Sequence, residues 1–214
     1  MTHTNLNLID HPLIAHKLTL MRDKNTTPLA FKQLLHEITH LMAYEFTKDL
    51  PLTTKITQTP VCEAEMPYLV GKRPVIVPIL RAGLGMSEPL SQLLPDAETG
   101  HIGVYRDEET HRPVEYLVKL PEHISERDIL LVDPMLATGH SSSYAIDVIN
   151  KKGVSDSRIK LMVLVAAPEG VELMAKKHPD VPVFAAALDE KLNEKAYIVP
   201  GLGDAGDRIF NTLS

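Results

Sequence analysis

The sequence lacks the features of a secreted or membrane-spanning protein. Its 214 residues include one cysteine, Cys62, so no intrachain disulfide can form, which fits a reducing compartment. The longest unbroken apolar run, Leu161–Ala167, is far shorter than the ~20 residues that span a bilayer. Residues 1–12 are polar and contain no apolar secretory core. We therefore expect a cytoplasmic protein without a membrane partner.

Positive charge is also scarce. Lys and Arg total 22 against 28 Asp and Glu, which gives a net charge of −6. An acidic chain is a poor general binder of nucleic acid or anionic lipid, so no nucleic-acid partner is expected. A negatively charged substrate would need a local cationic pocket in such a protein.

Short aliphatic runs alternate with helical segments along most of the chain. Tryptophan is absent and aromatic residues make up 5%, so these runs must supply the core. The alternation predicts an α/β fold, a parallel sheet with helices on both faces and a site at the carboxyl ends of its strands. The predicted strands are Val75–Leu80, Ile102–Tyr105, Val114–Leu120, Ile129–Val132, Ile159–Ala166 and Val183–Ala187. The predicted helices are 28–48, Gly83–Leu94, Ser141–Lys152 and Pro168–His178.

A single domain over residues 1–214 is expected. Residues 1–27 form an N-terminal arm of mixed character, after which Thr27 caps a helix that has Pro28 at its first position. The strands within 102–120 flank a polar stretch and predict a β-hairpin flap. Residues 197–214 form a glycine-rich tail that ends in a short turn.

One short motif suggests a zinc site. His36-Glu37-Ile38-Thr39-His40 matches HExxH, in which two histidines on one helix face bind zinc. On a helical wheel, however, both histidines fall opposite the apolar arc that contains Phe31. We therefore expect two solvent-facing histidines on an amphipathic helix, and a zinc hydrolase is disfavoured.

A second short motif suggests a dinucleotide site. Residues Gly201–Gly206 match GxGxxG, but a Rossmann fold needs a further helix, strand and acidic residue, and only eight residues follow Gly206. The glycines favour a loop whose backbone amides approach a small planar ligand closely. An ordinary C-terminal turn is the alternative.

The third motif predicts a phosphate site. The apolar strand Ile129–Val132 ends at Asp133, and a loop of small and hydroxyl residues then leads into a helix. The unpaired N–H groups and positive dipole end of that helix would hold a phosphate, to which Thr138 and Ser141 add hydroxyl donors. Asp133 could accept hydrogen bonds from sugar hydroxyls. The arrangement suits a monophosphate on a ribose, and an ordinary strand–turn–helix is the alternative.

These residues resemble a known family. Val132–Ser141 is similar to the ribose-5-phosphate motif of type I phosphoribosyltransferases, which use phosphoribosyl pyrophosphate (PRPP). That motif usually has two adjacent acidic residues, whereas Asp133 is followed by Pro134, as in the uracil phosphoribosyltransferase branch. Further segments that resemble this branch are Ile79–Met86 (pyrophosphate loop), Val104–Asp107 (flexible-loop arginine), Tyr197–Arg208 (uracil loop) and the arm from Asp10 to Asp23. The resemblance covers nearly the whole chain.

The resemblance implies a type I core with a flap and a C-terminal base-binding loop, and a reaction in which uracil and PRPP give UMP and pyrophosphate. It implies Mg²⁺, held by PRPP and water rather than directly by the protein, with Asp204 the nearest carboxylate. Arg106 and Asp204 are the expected catalytic residues. The expected PRPP-binding residues are Arg81, Arg106, Asp133, Pro134, Met135, Leu136, Ala137, Thr138, Gly139, His140, Ser141 and Asp204. The expected uracil-binding residues are Ile198, Gly203, Asp204 and Ala205.

Two other functions stay open. A regulator with the PRPP fold would bind nucleotides and RNA, although the acidity of the chain counts against it. A transferase for orotate or a purine would need a different base loop, and Arg208 could pair with the orotate carboxylate. The family also implies a homo-oligomer, and some relatives respond to GTP, for which no residue here locates a site.

Overall fold

The computed structural model describes residues 5–71, 73–106 and 113–212, without the side chains of Arg106 and Pro113. The helices in these ranges are α1 (Pro12–Arg22), α2 (Pro28–Phe46), α3 (Leu84–Leu93), α4 (His140–Asn150), α5 (Pro168–Lys177) and α6 (Ala205–Phe210). The strands are β1 (Leu6–Leu8), β2 (Leu52–Gln58), β3 (Glu63–Leu69), β4 (Val75–Leu80), β5 (Glu98–Thr99), β6 (His101–Arg106), β7 (Pro113–Lys119), β8 (Ile129–Val132), β9 (Met135–Leu136), β10 (Ile159–Ala166), β11 (Val183–Leu188), β12 (Lys191–Leu192) and β13 (Ile198–Val199). Two 3₁₀ turns cover Ile124–Glu126 and Asp156–Arg158.

The central sheet has the strand order β1-β11-β10-β8-β4-β6-β7, with β5 beside β4 and β9 beside β10. Neighbouring strands are parallel except β6 and β7, which pair as an antiparallel hairpin. The central strands are apolar on both faces because helices cover both. The predicted parallel α/β fold is confirmed, and the carboxyl ends of β4, β6 and β8 meet at one edge.

Alternate residues of the central strands enter two cores. Ile76 and Leu130 point to the face that α1, α2, α3 and α6 cover. Val77 and Leu131 point to the opposite face, where Ile146 of α4 packs together with residues of α5. This alternation follows from the two-residue period of a strand. The core is mostly aliphatic on both faces, as the composition predicts, with Phe31 and Phe46 buried in the first of them.

The N-terminal arm is more ordered than the sequence indicates. β1 pairs in parallel with β11, with Leu6 opposite Val183, and α1 packs against α2. The sequence also gives no sign of the β2–β3 hairpin. Its strands are mostly exposed, so their residues lack the alternation of apolar and polar side chains that marks a half-buried strand.

The predicted helix over 28–48 is confirmed, with an end at Phe46. Thr27 Oγ1 accepts the N–H of Ala30 at 3.3 Å, as an N-cap should. The expectation that His36 and His40 face solvent is wrong, because both are half-buried. Helix α3 packs beside α2 and places Glu88 Oε2 3.5 Å from His36 Nε2.

Within residues 5–71, 73–106 and 113–212, no group of three or more His, Cys, Asp and Glu side chains is placed to hold a metal ion. No helix in these ranges is long and apolar enough to cross a membrane.

Candidate active site

The phosphate loop follows β8 at the carboxyl edge of the sheet. Asp133 N–H donates to the carbonyl of Met162 at 3.1 Å, which ties the start of the loop to β10. Gly139 has a φ of +79°, and α4 begins at the next residue. A Cβ at Gly139 would lie 2.9 Å from the carbonyl oxygen of Gly170 in α5. Only glycine fits this turn, and the position of Gly139 determines where α4 begins after the loop.

A second loop, between β12 and β13, lies opposite the phosphate loop. Asn193 braces it: the side-chain oxygen accepts the N–H groups of Lys195 at 2.9 Å and Tyr197 at 3.0 Å, and its backbone N–H donates to the Tyr197 carbonyl. Ala196 has a φ of +60° at the turn. Leu192 N–H donates to Glu169 Oε1 of α5 at 3.0 Å. These bonds hold the loop in one conformation close to the phosphate loop.

A cavity of about 410 Å³ lies between the two loops. Its lining residues are Asp133, Met135, Ala137, Thr138, Gly139, Ser141, Ser142, Lys195, Ala196, Tyr197, Ile198 and Asp204. Most of the predicted phosphate-loop residues are therefore brought together with Ile198 and Asp204, although more than 50 residues of chain separate the two segments. The cavity combines a helix N-terminus, hydroxyl groups and two carboxylates, which suits a phosphorylated sugar.

Three predicted phosphate-loop residues do not line the cavity. The carbonyl of Pro134 accepts the N–H groups of Leu164 at 3.0 Å and Val165 at 3.2 Å, so Pro134 belongs to the sheet. Leu136 is buried in the core. His140 is the exposed first residue of α4.

The pyrophosphate-loop segment lies beside the phosphate loop. A Cβ at Gly83 would lie 2.5 Å from the carbonyl oxygen of Val132, so this loop packs directly on the end of β8. Arg81 is exposed outside the cavity, with Nη2 3.6 Å from Asp207 Oδ1 and its guanidinium 5.9 Å from the Phe210 ring. Arg106 ends β6, which pairs with β4 at the same edge, but its side chain lies outside the described residues.

Two predicted uracil-binding residues, Gly203 and Ala205, are not among the lining residues of the cavity. Gly203 is exposed, with a φ of +78°, and Ala205 is the buried first residue of α6. Asp204 caps that helix: its Oδ1 accepts the N–H of Asp207 at 2.9 Å.

The two cavity carboxyls have different surroundings. Removal from water raises the pKa of the Asp133 carboxyl to about 7, and the negative charge of Asp204 contributes in the same direction. A hydrogen bond from the Met135 backbone opposes the rise. A group with this pKa changes its charge near neutral pH, and such groups are concentrated at functional sites.

Sequence reasoning missed Ser142, Lys195, Ala196 and Tyr197 as lining residues. Lys195 is the one cation among the lining residues, and in the part of the chain that the structure describes no carboxylate pairs with it. Its direction toward the phosphate loop depends on the Asn193 brace, which has no motif of its own.

Arg208 does not face the cavity. Its Nη1 donates to the Leu202 carbonyl at 2.8 Å, its Nη2 donates to the Asp23 carbonyl at 2.6 Å, and the guanidinium lies 4.4 Å from the Phe31 ring. The side chain is buried by these contacts. It is therefore not placed to pair with a carboxylate on a bound base.

Comparisons with known proteins agree with this geometry. A family model described as uracil phosphoribosyltransferase matches residues 8–212. Uracil phosphoribosyltransferases of Rhodospirillum centenum and Burkholderia thailandensis are 59% and 56% identical over 208 residues, covering 97% of this chain and 96% and 95% of theirs. The solved structure of the AQ2163 protein from Aquifex aeolicus is 37% identical, with a TM-score of 0.89 over 96% of this chain and 97% of that one. The chain therefore belongs to the uracil phosphoribosyltransferase family.

Proposed function

We propose that this chain transfers the phosphoribosyl group of PRPP to N1 of uracil, giving UMP and pyrophosphate. One observation carries the proposal: the phosphate loop after β8 and the base loop around β13 line a single cavity at the carboxyl edge of a parallel sheet. Its volume of about 410 Å³ is within the range of small-molecule sites. Family membership supports the reaction, and the cavity supports this edge of the sheet as its location.

The phosphate loop would bind the 5-phosphate and ribose. The N-terminus of α4 directs N–H groups and a positive dipole end at the cavity, beside the hydroxyls of Thr138 and Ser141. Asp133 would accept hydrogen bonds from the ribose hydroxyls. Lys195 would add a positive charge from the opposite wall, which a chain of net charge −6 needs against a phosphate.

Arg81 and Arg106 would bind the pyrophosphate. Guanidinium groups pair with phosphate oxygens bidentately. Arg81 directly follows β4 and Arg106 is the last residue of β6, and both strands end at the same edge as β8. The partner that Arg81 has in this structure, Asp207, is a single contact at 3.6 Å with both side chains partly exposed. Such a contact contributes little free energy, so a pyrophosphate could replace it.

The base loop would bind uracil through backbone groups of Ile198, Gly203 and Ala205. Recognition by fixed backbone donors and acceptors rejects a base with a different hydrogen-bonding edge, because groups would be left unpaired. Asp204 lies at the junction of the base loop and the phosphate loop. Its negative charge would assist loss of the N1 proton and stabilise positive charge on the ribosyl carbon.

The cavity also fits a Mg²⁺ ion that enters with PRPP. Magnesium keeps several waters and is bound by one or two carboxylates together with substrate phosphates. Asp133 and Asp204 are the carboxylates of the lining, and the described ranges contain no larger ligand cluster. When bound, the ion would supply charge neutralisation on the leaving pyrophosphate.

The oligomeric state, the cellular location and a response to GTP stay predictions. Exposed apolar side chains on the β2–β3 hairpin, such as Leu52 and Ile56, support the proposal of a homo-oligomer. The predicted cytoplasmic location depends on composition alone, and no residue is assigned to a response to GTP. The alternative of an orotate transferase loses its support, because the guanidinium of Arg208 is committed to backbone carbonyls.

The test is formation of UMP from uracil, PRPP and Mg²⁺ by the purified chain. Parallel reactions replace uracil with orotate or hypoxanthine, or omit the metal. We expect UMP only in the reaction that contains uracil, PRPP and Mg²⁺. Product with another base would change the substrate assignment, and tight PRPP or nucleotide binding without turnover would favour a regulator.

The role of Lys195 has a matched control in Lys191, an exposed residue of β12 outside the cavity lining. We expect Lys195→Met to raise KM for PRPP by about 5- to 30-fold, equivalent to roughly 1–2 kcal/mol for a charge-assisted contact, and to leave KM for uracil nearly unchanged. Lys191→Met should leave both constants as in the unsubstituted chain. Equal effects of the two substitutions would exclude a specific contact of Lys195 with PRPP.

A further inference from the structure

A buried ion pair lies behind the base loop. Arg22, the last residue of α1, donates to both carboxylate oxygens of Asp189 at 2.7 and 2.6 Å. Asp189 directly follows β11, and its side chain is 4% exposed. The two residues are far apart in sequence, so this pair joins the N-terminal arm to the carboxyl edge of the sheet.

The pair binds both the backbone N–H and the backbone carbonyl of one base-loop residue, Gly201. Asp189 Oδ2 accepts the N–H of Gly201 at 2.9 Å, and Arg22 Nη1 donates to the carbonyl of Gly201 at 2.6 Å. Gly201 has a φ of +63°, and a Cβ there would lie 2.1 Å from the carbonyl oxygen of Ile198. The Arg22–Asp189 pair thus binds the middle of the segment from Ile198 to Gly203, and its contacts fit one backbone conformation of that segment.

The next carbonyl is held in a similar way. Arg208 Nη1 donates to the Leu202 carbonyl, and Arg208 Nη2 donates to the carbonyl of Asp23, the residue after Arg22. Two consecutive carbonyls of the base loop are therefore bound by guanidinium groups, both of them anchored at the end of α1. No other segment of the described site has two neighbouring carbonyls fixed by side chains.

This arrangement sets the direction of the loop's N–H groups. The C=O and N–H of a trans peptide point in opposite directions. Drawing the carbonyls of Gly201 and Leu202 toward Arg22 and Arg208 turns the N–H groups of Leu202 and Gly203 the other way. Neither N–H has an acceptor among the described residues, so both are left for solvent or a ligand.

Stability alone is a weak explanation for such a pair. The attraction between a buried carboxylate and guanidinium repays their loss of hydration only in part, and apolar replacements are often as stable. A bidentate pair does fix direction, since the guanidinium fork is planar and rigid. The geometry points to Arg22 and Asp189 as positioning residues for base recognition, which hold the base loop so that its backbone donors face the uracil site. This inference rests on the proposed function.

The test compares Arg22→Met with a matched control, Arg158→Met. Arg158 also joins a carboxylate to a carbonyl, with Nε 2.9 Å from Asp128 Oδ1 and Nη1 2.8 Å from the Ser125 carbonyl, but it precedes β10 at the far edge of the sheet. We expect Arg22→Met to raise KM for uracil about tenfold or more, with KM for PRPP changed by less than about threefold, because a misplaced recognition group costs affinity only for the ligand it contacts. Arg158→Met should leave both constants unchanged.

Two further readouts separate positioning from general destabilisation. Cytosine has an amino donor where uracil has a carbonyl, so the ratio of kcat/KM for uracil to kcat/KM for cytosine measures base discrimination. This ratio should fall in Arg22→Met. It should fall less in Arg22→Lys, which keeps the positive charge but not the planar guanidinium. Amide hydrogen exchange in 197–208 should speed up in Arg22→Met and not in Arg158→Met. The exchange comparison needs no turnover, so it decides the positioning role even if the chain forms no UMP.

Several results would overturn the inference. These are equal changes in the two Michaelis constants, equal effects of Arg22→Met and Arg158→Met, or unchanged exchange of the base loop. If Arg22→Met does not fold, Asp189→Asn takes its place, because the amide oxygen still accepts the Gly201 N–H while the ion pair is lost. Asp189→Asn should then raise KM for uracil selectively, and a uniform loss of activity would contradict the positioning role.

Discussion

At the scale of single residues, Asp204 has an observed structural role and a proposed chemical one. It caps α6 through Oδ1 and lines the cavity. Asparagine caps helices about as well as aspartate, so Asp204→Asn removes the charge and keeps the cap. We expect the turnover of this variant to fall more than about tenfold, the lower bound for a general base or charge stabiliser. Steady-state kinetics at saturating PRPP and uracil measure it.

The control for this variant is thermal unfolding. An unchanged midpoint together with low turnover would assign the loss to the missing charge. A turnover equal to that of the unsubstituted chain would remove Asp204 from the chemistry and leave it as a helix cap.

The raised pKa of Asp133 predicts that the free energy of unfolding and kcat/KM for PRPP both depend on pH. Because its pKa is raised from 3.8 to about 7, the folded protein keeps a proton that the unfolded chain releases at lower pH. Its contribution to the free energy of unfolding therefore declines as the pH rises from about 4 to about 7. The charged form is the one that accepts hydrogen bonds from ribose hydroxyls, so kcat/KM for PRPP should rise up to about pH 7 and then level off.

The matched variant is Asp133→Asn. It should lower kcat/KM for PRPP and abolish its rise toward neutral pH, and it should flatten the change of unfolding free energy between pH 4 and 7. Denaturant titrations and PRPP kinetics across this range measure both. If the variant keeps the same pH profile, another group titrates and the assignment to Asp133 fails.

The residues that sequence analysis could predict are those with local signals. Thr138 and Ser141 stand within ten residues of a strand end, so one contiguous motif indicates their role. Arg22 and Lys195 carry no such signal, because each reaches the site through contacts that depend on the folded arrangement of distant segments. The same holds for Arg208, whose charge suggested a ligand contact and whose side chain instead binds backbone carbonyls.

At the scale of elements, a buried group of side chains joins α4, α5 and a 3₁₀ turn. Ser143 Oγ lies 3.1 Å from His178 Nε2, and His178 Nδ1 lies 3.1 Å from Asp156 Oδ2. The order of groups is that of a hydrolytic triad, but Ser143 is 1% exposed and no substrate can reach it. The three side chains therefore hold the end of α5 against α4, the helix that follows the phosphate loop.

Removal of the serine hydroxyl should expose this structural role. Ser143→Ala leaves a ring nitrogen of His178 without its nearest partner, which costs about 1–3 kcal/mol of unfolding free energy. Chemical denaturation measures the loss, and Ser157→Ala, at an exposed serine, is the control that should change little. Unchanged stability in Ser143→Ala would mean that His178 finds a new partner, with Asp147 the nearest carboxylate at 3.8 Å.

Elements with strong periodicity were predicted well, and the others were not. The apolar strands β4, β8 and β10 and the amphipathic helix α2 were found because burial demands a regular pattern. The β2–β3 hairpin is mostly exposed, and β1 has three residues, so neither is long or buried enough to impose one. The solvent-facing position expected for His36 failed because a single-helix pattern cannot show that α3 packs on that side.

At the scale of the whole molecule, ligand binding should couple two distant segments. The cavity joins 133–142 to 195–204, so PRPP would contact both. At a concentration of PRPP 100-fold above its Kd, we expect about 2.7 kcal/mol of added unfolding free energy. Hydrogen exchange should show protection in both segments, with 52–69 of the β2–β3 hairpin as the internal reference. Protection of the phosphate loop alone would mean that PRPP does not bridge the cavity.

The pairing of β1 with β11 has a consequence for synthesis of the chain on the ribosome. Leu6 lies opposite Val183, so β1 cannot pair until β11 has been synthesised. At about 5–20 residues per second, the delay is roughly 10–35 s. Arg22 can bind Gly201 only after residue 201 has been synthesised and has left the ribosome, so the base loop cannot take its final shape before then. A rare codon between residues 22 and 201 would lengthen the time in which the nascent edge is open to chaperones.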